Sequence, residues 1–337
     1  MIYNYTLKEL EEYFVSVGDK KFRAKQVFEW LYKRKVESFE EMSNVSKKMI
    51  THLSENFTMP KLELVTKQES VDGTIKFLFK LDDNNTIEAV LMTYEWGNSL
   101  CITTQVGCNI GCSFCASGLR GKFRDLTTGE IVLQVLEVER IINKKVTNIV
   151  VMGIGEPFDN YDNVMNAVNT LNHPFAFEIG ARHITISTSG LVPKIYKFAD
   201  EHLQVNLAIS LHAPNDSIRD DLMKINKVYP LEELIKAVKY YVKETNRRVT
   251  FEYILLSGVN DLDAHAHVLS DLIRGINAYV NLIPYNEVSE FDYKRTTKER
   301  ALKFYDILKK RGINVTLRQE KGIDIFAACG QLRSKNM

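Results

Sequence analysis

The sequence predicts an α/β protein whose core is a partial (β/α)6 barrel, preceded by a small helical N-terminal domain and a linking β segment. Three observations predict it. From residue 99 onward, strand-like and helix-like runs alternate without a break. A cysteine cluster follows the first of those strands. The first 60 residues carry apolar positions at helical spacing.

Helices are expected over 8–15, 23–32 and 46–57, separated by polar turns such as Gly18-Asp19-Lys20. Lys20, Lys21, Arg23, Lys25, Lys33, Arg34 and Lys35 make this region locally basic, as a solvated helix face or an RNA contact would be. Next come short apolar runs at 75–79 and 86–92 around the turn Asp82-Asp83-Asn84-Asn85, read as a small β meander joining two domains. Strands are then expected at 100–105, 147–153, 183–189, 205–211, 249–256, 279–285 and 313–319. Helices are expected between them at 128–142, 161–172, 192–201, 230–246, 262–275 and 297–311. Six βα units and a last strand imply a parallel sheet. Crossovers of one hand curl such a sheet into a full or partial barrel, although a doubly wound open sheet has the same periodicity. The expected division is a helical domain at 1–60, a β linker at 61–93, the barrel at 94–324 and a C-terminal loop at 325–337.

Bulk properties narrow the class. The chain has 337 residues, 45% hydrophobic, enough for one large domain plus a small one. Its net charge of +1 gives no global polycation signal. The N-terminus is charged early, and no run approaches the roughly 20 apolar residues of a membrane helix. A cytoplasmic protein without a membrane partner is expected. No heptad pattern or extensive apolar surface is visible, so a monomer is expected.

The chain has five cysteines, an odd number that argues against a disulfide framework. Cys108, Cys112 and Cys115 form a C-x3-C-x2-C cluster directly after the first barrel strand. Three thiolates on one loop can hold three irons of a [4Fe–4S] cube and leave the fourth iron open to a substrate. Electron-carrying clusters normally have four cysteines. A zinc site would need a distant fourth ligand. Other candidates fall at strand ends, where barrel active sites are built. They are Gly155 and Glu156 in Met152-Gly153-Ile154-Gly155-Glu156-Pro157, Ser187 in Ser187-Thr188-Ser189-Gly190, Ser210, Leu211 and His212, and Asn286 in Pro284-Tyr285-Asn286. Cys101 lies on the first strand and Cys329 beyond the last. Two thiols facing one pocket act as nucleophile and resolving partner, whereas a lone cysteine is usually a small buried hydrophobe.

The cysteine spacing in a βα fold resembles the radical S-adenosylmethionine superfamily. In that superfamily the open iron chelates S-adenosylmethionine, and one-electron reduction yields a 5′-deoxyadenosyl radical. Longer stretches carry a narrower resemblance: Gln105-Val106-Gly107-Cys108, Leu126-Thr127-Thr128-Gly129-Glu130-Ile131, Gly153-Ile154-Gly155-Glu156-Pro157, Ala328-Cys329-Gly330-Gln331-Leu332 and the N-terminal Phe22-Arg23-Ala24-Lys25-Gln26. Together they resemble the RlmN/Cfr family of RNA adenine methyltransferases, nearly end to end.

The resemblance implies two S-adenosylmethionine molecules per turnover. Cys329 takes a methyl group from the first. The second, held on the cluster by Cys108, Cys112 and Cys115, yields the radical that activates this methyl for addition to adenine. Cys101 deprotonates the covalent protein–RNA adduct and closes a disulfide with Cys329. Glu88 accepts a proton, and Gly155, Glu156, Ser187, Ser210, Leu211, His212 and Asn286 contact S-adenosylmethionine. An electron donor such as flavodoxin or ferredoxin is implied. Pro157 and Ser189 look more like the branch that modifies adenine C2, in 23S ribosomal RNA and in transfer RNA. The alternative is the C8-modifying antibiotic-resistance branch acting on 23S ribosomal RNA. Phe326 departs from the family pattern, which usually has Asp there. Outside the family, the rival readings are a radical enzyme that activates a protein and a zinc-bearing RNA-binding module.

Overall fold

The computed structural model describes residues 1–333, and its N-terminal helices start where the sequence supplies caps. Thr6 accepts the Glu9 amide while the Glu9 carboxylate accepts the Thr6 amide, a capping box at the head of α1 (Leu7–Ser16). Helix α2 (Lys21–Glu29) runs into a π-helical turn, Trp30–Arg34, that ends at Lys35 in a left-handed conformation. Ser46 caps α3 (Lys47–Asn56). Leu10, Phe14, Val27, Phe28 and Leu53 bury the apolar faces of these helices in the same hydrophobic core as the barrel. Each such side chain contributes about 1.5–3 kcal/mol on burial, so the helical region is fixed to the barrel by packing.

Strands β1 (Glu63–Glu69), β2 (Ile75–Lys80), β3 (Thr86–Tyr94) and β4 (Gly97–Cys101) form an antiparallel meander. A separate ladder, β5 (Gln105–Gly107) with β6 (Lys122–Asp125), brackets the cysteine loop. Strands β7 (Asn148–Val151), β8 (Ile184–Thr188), β9 (Asn206–Ser210), β10 (Val249–Leu255), β11 (Ala278–Pro284) and β12 (Val315–Leu317) continue from β4 in parallel. The sheet order is β1-β2-β3-β4-β7-β8-β9-β10-β11-β12, and its two edges do not meet among the described residues. The barrel is therefore partial. Helices α4 (Thr128–Ile142), α5 (Tyr161–Asn172), α6 (Val192–Asp200), α7 (Asp216–Leu222), α8 (Leu231–Thr245), α9 (Asp263–Leu272) and α10 (Lys298–Lys310) form the crossovers.

Several features differ from the sequence expectation, the short β5–β6 ladder and helix α7 among them. The meander is continuous with the barrel sheet through the β3–β4 pairing, so it extends the sheet as well as linking to it. Strand β1, unforeseen, is an almost wholly exposed polar edge strand with no alternation to read. The strand expected over 100–105 breaks after Cys101. There the Gln134 side chain takes over the ladder's role, accepting the Thr103 amide at 2.9 Å and donating to its carbonyl at 2.8 Å. No helix among the described residues is long and apolar enough to cross a membrane.

The Thr127-Thr128-Gly129-Glu130 run has a local explanation. Thr127 and Glu130 make a capping box on α4, and Glu130 also receives two 2.8 Å hydrogen bonds from Arg124. Gly129 leaves room for the N-terminal turn, since a Cβ there would stand 2.8 Å from Asn4 Oδ1. Its amide donates to that oxygen at 2.9 Å. Farther along α4, Arg140 donates to the carbonyls of Lys35 and Val36, and Lys35 pairs with Glu139 at 2.7 Å. One helix thus registers the N-terminal region against the barrel.

Candidate active site

The cysteine loop is held at both ends. Gly107 adopts φ +78°, and a Cβ there would overlap the Gly121 carbonyl oxygen of the β5–β6 hairpin. Asn109 Oδ1 accepts the Lys122 amide at 2.7 Å. The Ser113 amide donates to the Leu222 carbonyl at the end of α7. Past Cys115, the Ala116 amide donates to the Gly330 carbonyl at 2.8 Å, and Ser117 Oγ donates to the Leu332 carbonyl at 2.8 Å. The segment carrying Cys329 is therefore fastened directly to the loop carrying Cys115.

Cys108, Cys112 and Cys115 line one cavity with Gly155, Glu156, Ser187, Ser210 and His212, at the C-terminal ends of the parallel strands. It measures about 890 Å³ including its open mouth, within the range of small-molecule sites. An adjoining lobe is lined by Cys101, Asn286, Ala328 and Cys329, and both lobes share Cys115, Arg318, Cys329 and Gly330. Burial pushes the thiols of Cys108 (to about 12), Cys112 and Cys115 up.

Glu156 is buried, with burial pushing its carboxyl up. Its oxygens accept the amides of Phe158 at 3.0 Å and Ser189 at 2.7 Å, which ties the end of β8 to the end of β7. Gln105 accepts the Glu156 amide at 2.8 Å. Ser187 and Ser210 hydroxyls stand 3.4 Å apart on neighbouring strands. Leu211 itself faces the hydrophobic core and meets the site only through its backbone. Sequence reasoning missed Arg219 on α7, which has no exposed surface. It donates to the carbonyls of Leu211 (3.1 Å), Ser189 (2.6 Å) and Ser210 (3.2 Å), and to Asn226 Oδ1 (2.9 Å). Arg219→Met strands these acceptors. At about 1–3 kcal/mol for each buried unsatisfied group, it is expected to lower unfolding free energy by at least about 3 kcal/mol, read by urea denaturation.

His212 is in the left-handed region at φ +56°. Its Nδ1 accepts the Ile254 amide at 3.0 Å, so the neutral ring carries its proton on Nε2. Burial, then the Arg219 charge, lowers its pKa to about 3. Below about pH 6.5 the unfolded chain binds a proton that the native site refuses, so stability is lost as pH falls from there toward 3. His212→Asn keeps an acceptor and tolerates the left-handed backbone. It is expected to shrink the stability loss between pH 7 and pH 5 by about 2 kcal/mol; an unchanged loss in paired urea titrations would rule this out.

Cys101 ends β4, buried, its thiol pushed up to about 12 by burial and then by the charge of Cys329. Cys329 receives a hydrogen bond on Sγ from Arg318 Nη1 at 2.9 Å. Glu88 on β3 is buried but does not line either lobe. Lys76 Nζ is 3.4 Å from its Oε1, and the Arg333 amide donates to its Oε2 at 2.9 Å. Phe326 is exposed and left-handed at φ +52°, and Lys76 donates to its carbonyl at 3.3 Å. Phe326 lines neither lobe.

No three acidic, thiol or imidazole groups among the described residues converge as a single ion requires. A [4Fe–4S] cube asks for something else, because each thiolate binds a different iron and the sulfurs stand apart around one cavity. The donor set fits that group. Ser189 Oγ and Asn286 Oδ1 are buried without a hydrogen-bond partner beside it, as polar ligand contacts would be.

This fold, with three loop cysteines over the strand ends of a partial barrel, defines a radical S-adenosylmethionine enzyme. Residues 102–269 match the radical SAM superfamily, and residues 2–59 match the ribosomal RNA large subunit methyltransferase N-terminal domain. The chain belongs to the RlmN family. It is 60% identical to an Enterococcus faecalis protein described as dual-specificity RNA methyltransferase RlmN, over all of this chain and 96% of that one. A Listeria welshimeri protein of the same description is 58% identical over all of this chain and 94% of its own. The crystal structure of a radical SAM methyltransferase from Sphaerobacter thermophilus superposes with a TM-score of 0.93 at 46% identity, covering 98% of both chains.

Proposed function

We propose that this protein methylates C2 of an adenine in 23S ribosomal RNA and of an adenine in transfer RNA. The observation that carries the reading is the placement of Cys101 and Cys329 in one lobe that opens onto the cluster cysteines. A radical S-adenosylmethionine enzyme without a methyl-carrying thiol has no use for that pair. The dual specificity in the description of the relatives supports two RNA substrates. Pro157 and Ser189, which resemble the C2-modifying branch, support C2 over C8.

Cys108, Cys112 and Cys115 hold the cluster, and Gly155, Glu156, Ser187, Ser210, His212 and Asn286 orient S-adenosylmethionine. When bound, the cluster supplies one-electron cleavage of S-adenosylmethionine, fed by a donor such as flavodoxin or ferredoxin. The electron-poor amidine carbon of adenine cannot attack a methyl sulfonium, so a radical route is required. Cys329 carries the methyl, which consumes one S-adenosylmethionine besides the one cleaved. Cys101 takes the proton from the adduct carbon. As the unpaired electron of the adduct returns to the electron carrier, Cys101 passes that proton on; its thiolate then attacks Cys329 Sγ, the S–S bond forming as the C–S bond to the product breaks, and the departing methylene keeps the electron pair and takes a proton to become the methyl. Glu88 accepts a proton once the C-terminal segment gives up its Arg333 contact. Of the N-terminal basic residues, Arg23, Lys33 and Lys35 are spent on Asp19, Glu178 and Glu139. The exposed Lys20 and Lys21 remain for RNA phosphates.

The test is nucleoside mass spectrometry of RNA treated with anaerobically reconstituted protein. It is expected to show 2-methyladenosine. Finding 8-methyladenosine would move the reading to the resistance branch, and unmodified RNA would overturn it.

A further inference from the structure

Arg318 lies outside every motif named above, yet its guanidinium donates to Cys329 Sγ. We propose that Arg318 is a positioning residue that holds and aims the Cys329 sulfur for methyl capture. The inference rests on the reading of Cys329 as the methyl carrier.

The anchor is rigid. Arg318 directly follows β12, and its amide donates to the Leu282 carbonyl at 2.8 Å, extending the β11–β12 ladder by one step. From that fixed backbone, Nη1 reaches Sγ at 2.9 Å. Among the described residues, no carboxylate lies within ion-pair distance of the guanidinium. Glu252, buried in the same cavity, is bound instead by Asn281 at 2.8 Å. Cys329 is correspondingly the largest influence on Arg318 and raises its pKa. A guanidinium left without a carboxylate and turned onto a thiol is an arrangement that structural stability does not call for.

The chemistry gives the contact a purpose. Methyl capture needs the thiolate as nucleophile, its proton having left to solvent. The sulfur attacks the methyl carbon of the sulfonium. The new C–S bond forms as the methyl–sulfonium bond breaks, and the departing thioether keeps the electron pair, so no redox partner is involved. One guanidinium N–H on Sγ fixes the side-chain rotamer and leaves another lone pair facing the cavity. After capture the sulfur is a thioether and a weak acceptor, so the hold loosens once the methyl is loaded.

The experiment alkylates the full-length, cluster-free chain with iodoacetamide and follows each cysteine by peptide mass spectrometry. Arg318→Gln is expected to slow Cys329 alkylation on the order of tenfold, the loss of one charge-assisted hydrogen bond. Buried Cys101, which Arg318 touches by charge and not by a hydrogen bond, should change far less, and Arg318→Lys should restore most of the Cys329 rate, which a purely structural role would not allow. In reconstituted protein, Arg318→Gln should lose methyl on Cys329 while still cleaving S-adenosylmethionine. Equal Cys329 rates in the native and Arg318→Gln proteins overturn the inference, as does an equally slow Arg318→Lys protein. Native protein that never carries methyl on Cys329 fails the methyl-carrier reading itself, a separate result.

Discussion

Cys329→Ala is expected to abolish adenine methylation, by on the order of a thousandfold or more. In the proposed mechanism the methyl has no other carrier. Cys101 is in the same lobe, but it ends a β-strand, buried and without a guanidinium on its sulfur. In the proposed reading the cluster cysteines are committed to iron. The substitution removes one sulfur from a segment held by backbone contacts, Gly330 to Ala116 and Leu332 to Ser117. Cluster content and cleavage of S-adenosylmethionine should therefore survive. Liquid chromatography of the nucleosides, with an iron count on the same sample, separates loss of the carrier from loss of the cluster. Methylation at the native rate would show that the methyl never passes through Cys329.

Cys101→Ala is expected to show the opposite signature, a protein that stays joined to its RNA. Here Cys329 still loads and the methylene still bonds to adenine, but nothing removes the proton or breaks the C–S bond. Burial, which pushes the Cys101 thiol up to about 12, makes its thiolate a strong base once formed. A base of that kind suits a carbon acid. A denaturing gel should show most of the protein shifted by covalent RNA, with released product reduced at least about a hundredfold. A variant that turns over freely without cross-link would assign the resolving step to another group, with Glu88 the first to try.

Much of this was legible in the sequence because it was periodic or clustered. The apolar spacing of α5, α8 and α10 and the alternation of strands with helices fixed the parallel part of the sheet. The C-x3-C-x2-C loop stood out by itself, and the Met152–Pro157 turn, ordinary when taken alone, gained its weight from following that loop. The unread elements lacked such a signal. Strand β1 is exposed on nearly all of both faces and paired only at an edge. The break after Cys101 depends on Gln134, 31 positions after Thr103, replacing a ladder with a side chain. Arg219 and Arg318 look in sequence like surface cations. Only the fold shows one buried under three strand-end carbonyls and the other turned onto a sulfur. Glu88 was placed by resemblance alone, and its pairing with Lys76 and the C-terminal segment is a contact between distant parts of the chain that no spacing encodes.

The most direct test of the central claim, passage of the methyl through Cys329, is a pulse and chase. The protein is first loaded with S-adenosylmethionine bearing a deuterated methyl, freed of small molecules, then given RNA, reductant and unlabelled S-adenosylmethionine for a single turnover. The account predicts deuterium in the methyladenosine product, with matching loss from the Cys329 peptide. An unlabelled product, with deuterium still on the protein, would contradict it.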